Sequence, residues 1–186
     1  MITLTELWIP ILASAVTVFV ASSAIHMVVK WHNSDYRKLP NEDEVRAAIR
    51  KASPAPGQYV VPHCIGPQEM RAPENLRKFT EGPVGMLTLR ANSIPNMASS
   101  LGLWFLLTLV IATVAGYLAS RALPAGASFI HVFRVVATVS FLAYAGGSVQ
   151  SGIWMGKPWA SVAKDLADSL IYASFSAAVF GWAWPH

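Results

Sequence analysis

Histidines, carboxylates and one lysine near the ends of apolar stretches are the residues that could do chemistry in this chain. His26 and Lys30 stand four apart, on one face of a helix, with His32 just beyond them. Imidazole suits metal ions and proton relays, so one reading of this group is a ligand or proton site. The other is a set of interfacial polar residues that pair with lipid head groups or a neighbouring hydrophilic segment, and the sequence favours it. Asp165 and Asp168 follow Lys164 at the start of a later apolar stretch. There they complement the positive end of a helix dipole. Asp168 lies about one turn deeper, where an intramembrane polar site with Gln150, Ser151 or Lys30 is conceivable. The candidate polar membrane site is therefore Asp168, Asp165, Gln150, His26 and Lys30.

Other constellations are weaker. His63 and Cys64 are adjacent soft ligands, but structural zinc needs four ligands at separated spacings. The chain's single Cys excludes an internal disulfide. A bis-histidine haem would need His26 and His131, which the expected topology separates by most of the bilayer, roughly 20 Å or more. The simplest bis-histidine haem within one chain is thereby excluded, and a haem shared between subunits is left open. No glycine-rich phosphate loop or nucleophile elbow is present, so no catalytic residue and no metal ligand set is assigned, and an enzyme is disfavoured. No cofactor is assigned. Arg134 sits a turn or so inside a stretch end, from where it can snorkel outward. The pairs Ala112/Gly116, Ala143/Gly147 and Ala177/Gly181 recur at i, i+4. Such pairs let backbones approach closely in lipid, which makes Gly116, Gly147 and Gly181 the candidate helix-packing residues.

The elements that must position these residues follow from composition. Of 186 residues 54% are hydrophobic and only 13% charged, with a net charge of +4. Soluble domains carry about twice that charge density. With a mean hydropathy of +0.43, this points to a membrane protein. A bilayer core about 30 Å thick needs roughly 20 helical residues, and four segments reach that length: Leu7–Val29, Ser99–Ser120, Phe129–Ile153 and Leu166–Trp184. Each is expected to be helical, because lipid offers backbone groups no partner. The first is read as a retained span rather than a signal peptide, since no positive charge precedes it and its apolar run is long.

The hydrophilic block of residues 30–98 holds 17 of the 24 charged residues and 8 of the 12 prolines. Asn41 and the acidic residues after it predict a short helix over Glu42–Ala52. Residues 58–61 and 86–90 read as short extended pieces, 73–79 as one or two helical turns, and 82–85 as a turn. The expected fold is an all-α membrane protein: four transmembrane helices with an irregular hydrophilic cap between helices 1 and 2. Its parts are a transmembrane helix in residues 1–29, a cap in 30–98 and a three-helix region in 99–186.

Basic residues near the span ends, Lys30, Arg37, Lys38, Arg90, Lys157 and Lys164, outweigh Arg121 and Arg134 on the other side. Positive-inside counting then puts residues 30–98 in the cytoplasm and both termini outside. Trp31, Trp104, Trp154 and Trp159 fall at the inner span ends, and Trp8, Trp182 and Trp184 at the outer ones, as expected of interfacial indoles.

The strings Lys30-Trp31-His32-Asn33, Pro56-Gly57-Gln58-Tyr59, the run from Lys78 to Gly85 and the run from Ile153 to Trp159 carry a resemblance. With them the chain resembles a functionally uncharacterised family of small bacterial four-span inner-membrane proteins. The resemblance implies a bacterial inner membrane and transfers no catalytic or binding residue. The leading functional expectation is a non-enzymatic integral membrane protein, an accessory or assembly subunit of a membrane complex. The alternative is a small transporter or channel acting as an oligomer, and a haem- or quinone-associated redox subunit comes third. Expected partners are the lipid bilayer and other membrane subunits in a homo- or hetero-oligomer, with no nucleic acid.

Overall fold

The computed structural model describes residues 2–186. The chain is mainly helical and divides into two compact units. One comprises Met1–Tyr36, Asn96–Gly152 and Pro158–His186; the other comprises Arg37–Pro95 and Ile153–Lys157.

The first unit is built on four long helices: α1 (Trp8–Ala24), α5 (Met97–Ala122), α6 (Phe129–Met155) and α7 (Trp159–Trp182). Alpha1 runs on into a π-helical turn, Ile25–Val29, which extends its apolar stretch to Val29. With that extension, α1, α5 and α6 are long and apolar enough to cross a membrane. The fourth expected span differs. Its helix starts at Trp159 rather than Leu166, directly after Pro158. This draws Lys164 and Asp165 inside the helix along with Asp168. The helix is long enough but does not join the other three on apolar content.

Alpha1 packs against both α5 and α7. Small residues bring it close to them: Ser14 and Ala15 of α1 and Ala112 and Ala115 of α5 are buried, and Thr108 Oγ1 reaches the Ala15 carbonyl at 3.5 Å. In lipid, where apolar surface alone gives helices no reason to associate, such close packing supplies the contact energy. One core cluster joins Leu7, Ile11, Ala119, Val132, Phe180 and Trp184. A second, of Val18, Ile25 and Tyr172, is flanked by Trp31, Trp104 and Tyr144. The turn between α5 and α6 needs the positive φ (72°) of Gly126, whose N–H donates to the Pro185 carbonyl at 2.8 Å. A left-handed turn of this kind favours glycine.

The second unit corrects the expectation of an irregular cap. Strands β1 (Gly57–Val61) and β2 (Gly85–Leu89) pair antiparallel, with Gly57 opposite Leu89 and Val61 opposite Gly85. Between them run α3 (Gly66–Met70) and α4 (Pro73–Glu81), each with proline in its first turn. The prolines that break the sequence into short pieces also start these helices, where a missing N–H costs nothing. Asn75 of α4 is buried, donates to the Glu69 carbonyl at 2.9 Å and accepts from Lys78 at 3.0 Å. Helix α2 (Glu42–Ala52) has the bounds read from the sequence. Its leading Asn41 side chain bonds the Glu44 carboxylate at 3.3 Å instead of capping a backbone amide.

Candidate functional site

The polar centre of the first unit begins where α1 ends. The Lys30 N–H donates to the Ile25 carbonyl at 2.8 Å, closing the π-turn, and Lys30 itself is left-handed at φ 57°. A lysine there costs about 1 kcal/mol. This reversal starts a 3-10 turn over Trp31–Asp35. Residues three apart eclipse one another in a 3-10 turn. His32 therefore meets Asp35, with Nδ1 to Oδ2 at 2.7 Å. On its other edge His32 Nε2 lies 2.9 Å from Asp168 Oδ2 of α7.

Both ring nitrogens of His32 thus face carboxylates, which only accept. Burial disfavours the charged ring, but the hydrogen bonds and charges of Asp35 and Asp168 outweigh it and raise the His32 pKa above its ordinary value. When protonated, the ring can donate to both acids. Asp35 is fixed further by Lys164, whose Nζ lies 2.6 Å from Oδ1. Against the opposing effect of burial, this bond and the one from His32 hold the Asp35 carboxyl down at about 2. Lys164 also donates to the Trp31 carbonyl at 2.8 Å and to Ser34 Oγ at 2.7 Å. Its three ammonium protons are then all used.

Asp168 is buried. Its Oδ2 takes the His32 bond and a longer approach from Tyr172 Oη at 3.4 Å. Its Oδ1 has no hydrogen-bond partner among the described residues. Three rings lie behind it, Trp104, Tyr144 and Tyr172, with centroids 5.4–6.1 Å apart. Trp104 Nε1 donates to Ser22 Oγ at 2.8 Å. His26, exposed, stacks on His32 with centroids 5.0 Å apart and planes 8° from parallel. His26 Nδ1 lies 2.9 Å from the Ser22 carbonyl. Because a carbonyl only accepts, Nδ1 carries the proton, and in the neutral ring Nε2 keeps its lone pair. One ligand atom each from His26, His32 and Asp168 lie within 4.8 Å of one another.

The structure thus brings Asp168 and His26 together. Asp165 is bonded by Ser148 Oγ and tethers α7 to α6 instead. Gln150 is exposed on α6 and Lys30 is exposed at the reversal, and neither enters this network. His131 is exposed and bonds Ser128 at 3.1 Å. Cys64 is a half-buried free thiol beside an exposed His63. Among the packing glycines, a Cβ at Gly181 would stand 2.5 Å from the Phe129 ring, and one at Gly116 would stand 3.0 Å from Phe180. One at Gly147 would meet nothing within 4 Å.

Sequence reasoning noted His32 but did not pair it with Asp168, and it missed Asp35, Tyr172 and Ser22. It placed Lys164 only as a flanking base. Two local signals were present: His32 and Asp35 at i, i+3, and Lys164 and Asp168 at i, i+4. No family model, curated protein or solved structure matches the chain.

Proposed function

We propose that the chain is a four-span protein of a bacterial inner membrane that binds and passes a small cation at its histidine–aspartate centre, acting as an oligomer. One observation carries the reading: a carboxylate, Asp168, is buried on the long helix α7 with one oxygen on His32 and the other without a partner among the described residues. Ionisable groups inside a membrane bundle are costly and mark ion or proton sites. The arrangement of α7 supports its place as the fourth span. Its polar residues Asp168, Ser169, Tyr172 and Ser176 are buried, while Leu170, Phe175 and Trp182 are exposed. Its average hydropathy falls largely because these polar groups face inward; the exposed side is apolar but for Ser174, whose hydroxyl donates to the Leu170 carbonyl at 2.7 Å.

The test is a flux assay on the purified protein in liposomes, with a pH dye or a metal dye inside. Asp168→Asn should keep the fold and abolish uptake. A folded Asp168→Asn protein with the flux of the parent removes this reading. One observation favours the accessory or assembly subunit instead. Gly146 and Gly147 lie on an exposed part of α6 with open space where a Cβ would stand, room for a helix of another subunit. Native mass analysis separates the two: a homo-oligomer with flux supports transport, and a hetero-complex without flux supports the subunit.

The proposed orientation keeps both termini outside and residues 30–98 in the cytoplasm. Ser53 is exposed. In a Cys64→Ser background, a Ser53→Cys protein should resist an impermeant thiol reagent in sealed spheroplasts and react once they are opened. Strong labelling before opening reverses the orientation.

A further inference from the structure

We propose that His26, His32 and Asp168 form a binding site for one divalent transition metal ion of the zinc class. The inference rests on the cation reading above and names the cation. Two imidazole nitrogens and one carboxylate oxygen are a donor set that borderline metals prefer, with a fourth position left for water or a further ligand.

The first support is distance. The three donor atoms lie within 4.8 Å of one another, and His32 Nε2 and Asp168 Oδ2 are already 2.9 Å apart. Metal bonds of about 2.0–2.2 Å in a tetrahedron set ligand atoms roughly 3.3–3.5 Å apart. Because the two rings lie nearly parallel, the His26 ring must turn out of its stack on His32 for its lone pair to meet the ion, and its exposure leaves it free to turn and gives an ion a way in.

The second support is the outer layer of bonds. A metal-bound histidine almost always donates its other N–H to a carboxylate or a backbone carbonyl, which fixes tautomer and ring orientation. Both forms are present. His32 Nδ1 faces Asp35 Oδ2 at 2.7 Å, and Asp35 is in turn held by Lys164 at 2.6 Å. His26 Nδ1 donates to the Ser22 carbonyl at 2.9 Å, which directs its Nε2 lone pair away from its own helix. A purely structural His32–Asp168 pair would need neither the oriented His26 nor a second acid on the far side of His32.

The third support is Asp168 Oδ1, buried without a partner. A lone carboxylate oxygen out of water is costly, and a metal at the site accounts for it directly. The ion takes the place of the proton between His32 and Asp168, so one proton leaves for each ion bound.

The experiment uses the full chain in detergent, stripped with chelator, with His63→Ala and Cys64→Ser to silence the other soft pair. Zinc is titrated against a chromogenic chelator, and Co²⁺ is added separately for its visible d–d absorption. One ion per chain and a Co²⁺ band of tetrahedral intensity are expected. His26→Ala, at an exposed residue that among the described residues hydrogen-bonds the Ser22 carbonyl of its own helix, should leave the fold intact and weaken zinc more than about 100-fold. Asp35→Asn should weaken it about 10–100-fold, the range for an outer-layer partner. Failure of the parent chain to take up Zn²⁺ or Co²⁺ overturns the inference, as does binding that His26→Ala and Asp168→Asn both leave unchanged. If no metal binds while Asp168→Asn still abolishes proton flux, the cation reading stands and the metal inference alone falls.

Discussion

The two ends of the helical unit are held by different forces. At one end Trp184, Phe180, Leu7 and Val132 are buried together, and polar groups serve only to finish the packing. Trp184 Nε1 donates to the Pro124 carbonyl at 3.0 Å, and Arg121 to the Ile2 carbonyl at 3.1 Å. At the other end His32, Asp35, Lys164 and Asp168 alternate in sign and join the chain after α1 to the start of α7. Apolar surface is interchangeable with lipid, so the first end is specified by shape. The second is specified by charge, because a buried ion left unpaired is far costlier than a misfitted methyl group. Substitutions should respond to volume at one end and to charge at the other.

The largest effect is expected at the charged end. Asp168→Ala leaves His32 facing a void and should destabilise the protein by about 3–5 kcal/mol, the cost of breaking a buried pair. Unfolding of the detergent-solubilised protein measures it. Replacing the pair together, His32→Leu with Asp168→Leu, should recover much of that loss. A double variant as unstable as Asp168→Ala means that the end is specified by shape after all.

At the apolar end the next effect depends on steric fit. A Cβ at Gly181 meets the Phe129 ring at 2.5 Å, so Gly181→Ala must move the ring or the helix, at about 1–3 kcal/mol. Gly147→Ala meets nothing within the chain and should stay within about 0.5 kcal/mol of the parent in dilute detergent. Equal losses at both glycines place a second copy or a partner on the Gly147 face.

How much of this was legible in the sequence follows the same division. The apolar runs at 7–29, 99–120 and 129–153 announce the three apolar helices, because bilayer thickness alone decides their length. Helix α2 could be read because its charges follow the helix dipole from Glu42 to Lys51. The pairing of β1 with β2 could not be, since two short extended pieces separated by helices carry no register. The site was half legible. His26 and Asp168 stand out as polar groups at the ends of apolar stretches, but His32 and Asp168 are 136 residues apart. Their meeting depends on a π-turn and a left-handed lysine that propensities do not foresee. An ordinary helical continuation past Val29 would carry His32 onward along the helix axis and away from the reversal that starts the 3-10 turn.

A smaller effect is expected where the two styles of packing meet. Asp165 accepts from Ser148 and so links α7 to α6. Ser148→Ala removes a single donor to a half-buried carboxylate and should cost about 1–2 kcal/mol. Zinc affinity should not change, because neither residue belongs to the His26–His32–Asp168 group. A metal affinity that falls with Ser148→Ala extends the charged end as far as Asp165.

The smallest effect is at Lys30, and its sign separates strain from contact. Its left-handed backbone ends the π-turn and aims the 3-10 turn at α7, a position where glycine is the usual residue. Its side chain is exposed and stands outside the His32–Asp168 network. Lys30→Gly therefore removes about 1 kcal/mol of local strain. Greater freedom of the unfolded chain offsets part of that gain. The net expectation is a stabilisation of a few tenths of a kcal/mol with zinc affinity unchanged. Lys30→Val, β-branched and unable to sit easily at positive φ, should destabilise by more than about 1 kcal/mol and weaken zinc, because His32 would lose its approach to Asp168. If Lys30→Gly destabilises instead, the ammonium group itself contributes to holding this end, and the charged end has a fifth member.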